Sequence, residues 1–307
     1  MNSAVPRLSV VVAIEGASAN VRAILANLKP ATYVDCEFAF YATLQADLAG
    51  LPGDLPNLRR EVSAAGARIP HMWRDGIASA RATSVALLSA HVIPAPNWMD
   101  AVLAALPRAD VAGVGGYFSN DPQARPLDWA IYLLRYAAFS RPRSGTVEHI
   151  AADNAVYRRD PILACHDLTE RGFWEVEYHV RFIAQGLSLL LSDRLQVVHT
   201  NRYAARAFAA QRREHGFSFG RDRARRYSSW RLLLQLLASP AVPFVLAAKV
   251  LARSRAHGLL REAPLAALPW LAWFVLHWSW GETLGAGAEL LRRASWLPRL
   301  PRRRPSR

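Results

Sequence analysis

LSVVVAI, residues 8–14, is a β-branched apolar run of strand length, and Glu15 and Gly16 end it. The next segment has a different period: Val21, Ile24, Leu25 and Leu28 recur at helical spacing behind a candidate cap at Ser18. The chain therefore opens as a strand and then a helix. CEFAFYA (36–42), SVALLS (84–89) and DVAGVGG (110–116) read as further buried strands, and the stretches 71–82 and 97–106 are amphipathic. Alternation of this kind predicts an α/β domain with a mostly parallel sheet and flanking helices on both faces. In such sheets ligands bind at the carboxyl ends of the strands, so the residues just after each strand are the ones to question.

Beyond about Asn201 the pattern changes. Of 307 residues 52% are hydrophobic and 20% charged, which excludes wholesale disorder and allows one or two domains. The formal charge is +14, and it is not evenly spread. Between Arg202 and Arg231 stand Arg206, Arg212, Arg213, Arg221, Arg223, Arg225 and Arg226 against only Glu214 and Asp222. Two uncharged stretches come next, 232–248 with Pro240 and Pro243, and 263–281 with Trp270, Trp273, Trp278 and Trp280. No acid stands beyond Glu289, and the Pro-punctuated tail carries Arg299, Arg302, Arg303, Arg304 and Arg307. We read residues 1–201 as a catalytic-type domain, 202–231 as a basic amphipathic connector, 232–290 as an apolar helical membrane-associated region, and 291–307 as a disordered basic tail.

Arginine beside tryptophan-rich apolar sequence points to an anionic membrane surface. A nucleic-acid binder would spread its arginines over a folded face without uncharged stretches this long, so no nucleic acid is expected as partner. Spanning a bilayer takes about 20 apolar residues; 263–281 is just long enough, and 232–248 is short and broken by prolines. If both crossed, the connector with Lys249, Arg253, Arg255 and Arg261 would lie on the far side, against the preference of short basic loops for the cytoplasm. Helices lying in or dipping into the cytoplasmic leaflet fit better, although a buried helical hairpin gives the same pattern. No cleavable signal opens the chain, which places the first domain at the cytoplasmic face of the inner (plasma) membrane, held peripherally or integrally through the C-terminal region. The two cysteines, Cys36 and Cys165, have no paired spacing and suit a reducing compartment.

Four segments taken in order, IPHMWRDGIASARATSVALLSAHVIPAPNW (69–98), PLDWAIYLLRYAAF (126–139), HIAADNAVYRRDP (149–161) and GFWEVEYHVRFIAQGLSLLLSDRLQVVHTNRY (172–203), resemble bacterial family 2 glycosyltransferases over residues 8–225. The resemblance implies a glycosyltransferase-A fold with a nucleotide-sugar donor at the sheet's carboxyl edge. It further implies single-displacement, inverting transfer, with one carboxylate as base. The family's metal-binding Asp-x-Asp triplet corresponds here to Ser89-Ala90-His91. Ala90 cannot ligate, Ser89 is a weak ligand, and His91 suits softer ions better than magnesium. Either His91 binds a divalent metal (Mg or Mn) or hydrogen-bonds the donor phosphate without one, or the site has lost its chemistry. Arg74 and Arg81 either replace part of the metal's charge or are solvated helix residues. The family's early Asp is missing too; Tyr41 stands there, for stacking on a base or for core packing.

The resemblance places the catalytic base at Glu175 or Glu177. Alternate helical positions lie about 200° apart, so both cannot face one site. Glu175 is favoured because it comes directly after Phe173 and Trp174, whose apolar surfaces would raise its pKa, although acids in a first helical turn also arise from the dipole alone. Arg181 makes either an ion pair with Glu177, four residues earlier, or an acceptor-phosphate contact. Asp153 and Asn154 match the family's donor or acceptor loop, or form a plain turn. His199 matches a position near the diphosphate, and Gly115 and Gly116 allow close backbone approach to a ligand. The expected activity is transfer of a sugar to a lipid-linked or cell-envelope glycan acceptor. A non-catalytic membrane scaffold on the same fold is the alternative, with the changed triplet deciding between them.

Overall fold

The apolar runs are strands because their side chains have somewhere to go on both faces. In the computed structural model, which describes residues 5–16, 18–200 and 202–294, every residue of β1 (Ser9–Ile14), β2 (Glu37–Ala42) and β4 (Ser84–Ser89) is buried. The capping side chain expected at Ser18 and the basic tail beyond Ala294 lie outside the described residues. The remaining strands are β3 (Leu58–Val62), β5 (Val92–Pro94), β6 (Val111–Asn120), β7 (Gly145–Val147), β8 (Asn154–Arg158) and β9 (Ser188–His199). Among the described residues these nine form one sheet in the order β3-β2-β1-β4-β8-β6-β9-β5, with β7 also paired to β9.

Six of the nine run in one direction; β8 runs against β4 and β6 on either side of it, and β5 and β7 run against β9. The reversal of β8 has a consequence for chemistry. Its register pairs Leu88 with Asn154, so the start of β8 lies at the carboxyl end of β4. The carboxyl ends of β6 and β9 meet beside it, where Asn120 pairs with His199. One edge of the sheet thus collects residues from several distant parts of the chain.

Helices α1 (Val21–Leu28), α2 (Ile69–Ser79), α3 (Trp98–Ala104), α4 (Pro126–Tyr136), α5 (Arg159–Leu163), α6 (His166–Thr169) and α7 (Glu175–Ala184) punctuate the strands. Met72, Trp73 and Ile77 of α2 share a core with Val11, Leu87, Tyr157, Phe173 and Phe182. Gly76 of α2 sits where a Cβ would collide with Val11, so the helix meets β1 at the closest range the backbone permits. Cys36 and Cys165 are both free and buried.

The chain divides into two compact units, one of residues 1–124 and 136–202 and the other of 125–135 and 203–307. Residues 125–135 belong with the second unit although they lie far from it in sequence. The reason is burial: Ala130 and Ile131 share a core with Phe208, Leu271, Phe274 and Val275.

The second unit contains α8 (Ala205–Arg225), α9 (Ser229–Ala238), α10 (Val242–Ala256) and α11 (Ala267–Ala294). Helices α8 and α11 run parallel and touch backbone to backbone. A Cβ on Gly216 or Gly220 would strike the carbonyls of Trp278 or Glu282, and one on Gly281 or Gly285 those of Arg213 or Phe217. Acids buried on α11 are matched by the arginines of 202–231, Glu282 lying 2.8 Å from Arg223 and Glu289 3.9 Å from Arg225, and Arg293 of α11 donates to the carbonyls of Ala224 and Tyr227 at the end of α8. The basic stretch is therefore mostly one helix packed against α11. Among the described residues the helical stretch that meets both the length and the hydropathy needed to cross a bilayer is Ser229–Ala256, of mean hydropathy 1.7 and with none of its apolar window buried. Length and composition make it long enough to cross a bilayer.

Candidate functional site

Strand β4 ends at Ser89, which is fully buried with Ala90, and His91 is 5% exposed. The His91 ring lies with Nε2 3.0 Å from the carbonyl oxygen of Glu15, the residue just after β1. A carbonyl only accepts, so Nε2 carries the hydrogen in this contact. The His91 backbone N–H is 3.3 Å from Ser89 Oγ, and Thr200 N–H donates to the His91 carbonyl at 3.1 Å. Asn20 bridges the same place from α1's entry, donating to Ala90 O at 2.7 Å and Thr200 Oγ1 at 3.0 Å. The ends of β1, β4 and β9 are thereby tied together around His91.

Asp153 precedes β8 at the same edge, is 5% exposed, and accepts a hydrogen bond from Tyr136 Oη at 2.6 Å. The Tyr136 ring lies 5.2 Å from the ring of buried His199, whose Nδ1 is 3.5 Å from Asn120 Oδ1. His91, Asp153 and His199 thus share one sheet edge, joined by Thr200 and Tyr136. Asn154 points the other way. Its amide takes the Trp98 indole N–H at 2.8 Å and donates to Tyr117 O at 3.1 Å and Leu195 O at 3.2 Å, and it is wholly buried. It locks three strands to one another and leaves no group for a ligand.

The two glutamates of α7 separate as helical geometry requires. Glu177 is held by Arg171 at 2.7 Å on the surface. Glu175, half-buried at the first position of the helix, acts electrostatically on Tyr157, which is buried completely. Burial pushes the Tyr157 phenol well above its ordinary value, and the charges of Glu175 and Asp153 push it further. The Tyr157 hydroxyl lies 3.0 Å from Nε2 of His179, one helical turn after Glu175. Burial, reinforced by neighbouring His149, drives His179 down to about 3, so this imidazole is neutral. Nothing in the strand and helix periods announces the Tyr157–His179 pair; its signal was only the four-residue step from Glu175.

Helix α7 returns the chain to the amino edge, where β9 begins, so its first residue lies toward the carboxyl edge. Local contacts agree with this placement: Phe173 N–H donates to Pro70 O at 2.8 Å, and the neighbouring Ile69 N–H donates to the Glu15 carboxylate at 3.2 Å.

Other expectations take a different form. Arg181 pairs with Asp167 at 2.8 Å, not with Glu177, and its exposed guanidinium lowers the Asp167 carboxyl below its ordinary range. Arg81 is bound to buried Glu37 at 2.8 Å, where β2 begins, and so stands at the amino edge. Arg74 lies 2.7 Å from Asp75. Tyr41 is a core residue whose hydroxyl meets Ser79 Oγ at 2.8 Å. The close approach allowed by Gly115 and Gly116 is used by the chain itself, since a Cβ there would meet Ile150 in the first case and Leu195 and Asn154 in the second.

The triplet position is a poor seat for magnesium or manganese. Ser89 Oγ already accepts a backbone N–H and Ala90 has no ligand atom, so the triplet keeps a single good donor, His91 Nδ1, in place of the two carboxylates that hold a hard cation. Among the described residues no three His, Cys, Asp or Glu side chains converge as metal ligands.

No protein-family profile matches the sequence. No curated protein matches it either. Solved structures do. One is a crystal structure of GalNAc-T7 with UDP, GalNAc and Mn2+, at 16% identity and a TM-score of 0.46, covering 66% of this chain and 45% of that one. The chain thus spans under half the length of that structure.

Proposed function

We propose that the chain is a glycosyltransferase of the glycosyltransferase-A type that takes a nucleotide-sugar donor at the carboxyl edge of its sheet. The observation that carries this reading is the division of labour on α7: Glu177 is paired with Arg171, while Glu175, the first residue of the helix, lies toward the sheet edge where His91, Asp153 and His199 collect. In the proposed step an acceptor hydroxyl oxygen attacks the anomeric carbon. Its proton passes to the Glu175 carboxylate, and the bond to the donor diphosphate breaks with its electron pair, inverting the centre. The His199 imidazole offers a hydrogen bond to the departing diphosphate, and His91, whose Nε2–H is given to Glu15 O, can donate through Nδ1 only as the imidazolium. No step is assigned to a metal.

The acceptor we propose is lipid-linked or part of the cell envelope, met at the cytoplasmic face of the inner membrane. The exposed apolar stretch 229–256 supports this part of the reading, because tethering to a leaflet raises the local concentration of a lipid-borne acceptor. The Ser89-Ala90-His91 triplet favours a second reading, a membrane scaffold that has lost transfer. Thermal unfolding of the full chain against a panel of nucleoside diphosphate sugars, with and without manganese, separates the two. Transfer predicts a saturable rise in melting temperature with at least one sugar nucleotide that does not require manganese; no shift with any of them supports the scaffold.

A further inference from the structure

The helical unit contains a layer of cations that sugar transfer does not use. Ile131 on α4, Phe208 on α8 and Phe274 on α11 belong to one apolar core, with Phe208 and Phe274 in edge contact at 4.7 Å. One turn further along each helix stand Arg135, Arg212 and Trp278. Arg212 lies over the Trp278 indole, its guanidinium carbon 4.2 Å from the ring centre, and its buried Nε has no hydrogen-bond partner. Arg135 reaches the same region, donating to Tyr203 Oη at 2.8 Å.

Two guanidiniums brought near each other repel, and for the more deeply buried Arg212 desolvation adds to the cost. The effect is visible on Arg212, which burial and then the Arg135 charge push down to about 10. An anion with several oxygens resolves both problems, because the planar fork of arginine matches phosphate geometry and the stacked indole fixes its plane. The unit also exposes Trp230, Leu237 and Phe244, at 66%, 70% and 77%, so the anion's natural carrier is an amphiphile.

We propose that Arg135, Arg212 and Tyr203, with Trp278 as a platform, bind the phosphate group of a phosphorylated ligand whose remainder is apolar. The site lies wholly within the helical unit and stands whether or not the sheet edge transfers sugar.

The test is thermal unfolding and calorimetric titration of the full chain in neutral detergent micelles with dodecyl phosphate, dodecanol or inorganic phosphate. Dodecyl phosphate is expected to bind saturably and raise the melting temperature, dodecanol to do neither, and Arg135→Gln and Arg212→Gln each to weaken binding at least about tenfold. Tighter binding of dodecyl phosphate than of inorganic phosphate assigns the ligand to lipid; equal binding of the two keeps the phosphate group but overturns the apolar remainder. Arg135→Lys and Arg212→Lys, which keep the charge and the fold, are expected to weaken binding measurably by losing the fork. The proposal is overturned if the wild-type chain shows no saturable binding of either phosphate, or if folded Gln and Lys variants bind as the wild type does.

Discussion

The sheet unit and the helical unit spend their apolar residues in opposite ways. In the first, β1, β2 and β4 are buried along their whole length, and polar groups come to the edge already tied to one another. In the second, the closest packing is between glycines of α8 and α11, charged groups are buried beside them, and large apolar side chains such as Leu237, Phe244 and Leu265 face outward. The difference teaches that overall hydrophobicity is a poor guide to where a core lies. A strand buried on both faces and a helix with an outward apolar face have the same composition.

The largest expected effect concerns the outward face. Replacing Trp230, Leu237 and Phe244 together by Asp is expected to abolish flotation with anionic vesicles, since each buried apolar side chain contributes about 1.5–3 kcal/mol. Deleting residues 232–307 instead would also remove α11 from beneath α8. Flotation of the triple variant equal to wild type would erase the contrast between the units.

Next comes the sheet edge. Glu175→Gln is expected to lower turnover by about 10²–10⁴-fold while leaving donor binding close to wild type, as measured by initial rates alongside titration. Glu177→Gln removes an exposed pair with Arg171 and is expected to cost at most about 1 kcal/mol of stability, with turnover little changed. The reverse outcome would move the base to Glu177.

A smaller effect sharpens the packing side of the comparison. Gly281→Leu forces a side chain into the Arg213 carbonyl, and denaturant unfolding should show a loss of about 1–3 kcal/mol or more. Wild-type stability in that variant would mean that α8 and α11 can part freely.

The last effect depends on pH. His179 is held at about 3 in the folded chain against 6.5 in the unfolded one. Stability it contributes is therefore fully present above 6.5 and falls away as pH drops toward 3, by at most about 1.4 kcal/mol per pH unit. His179→Gln should flatten that slope in urea unfolding at pH 7, 6 and 5; an unchanged slope would show that the burial of His179 is not what the acid limb reports.

The strands at 8–14, 36–42, 84–89 and 110–116 were legible because both faces are buried and apolar residues run on without interruption. β3 was not, since LRREV, half-exposed, places charges inside a strand. β8 was hidden by the short apolar-basic run NAVYR, although its reversal delivers Asp153 to the edge. The separation of Glu175 from Glu177 was a consequence of the helical period. The partners that decide it, Arg171 for one and the Tyr157–His179 pair for the other, come from different segments and left no local pattern. The apolar stretches at 232–248 and 263–281 were legible as helices, but the backbone-to-backbone meeting of α11 with α8 through their glycines is a property of the pair and not of either stretch.

The central claim is that a sugar nucleotide lies along the carboxyl ends of β1, β4 and β9. Photolabelling the full chain with an azido-nucleoside diphosphate sugar, with subsequent peptide mapping, tests it most directly. The account predicts saturable labelling, displaced by the unlabelled nucleotide, on peptides containing Glu15, His91, Asp153 or His199; labelling confined to residues 205–294, or none that saturates, would contradict it.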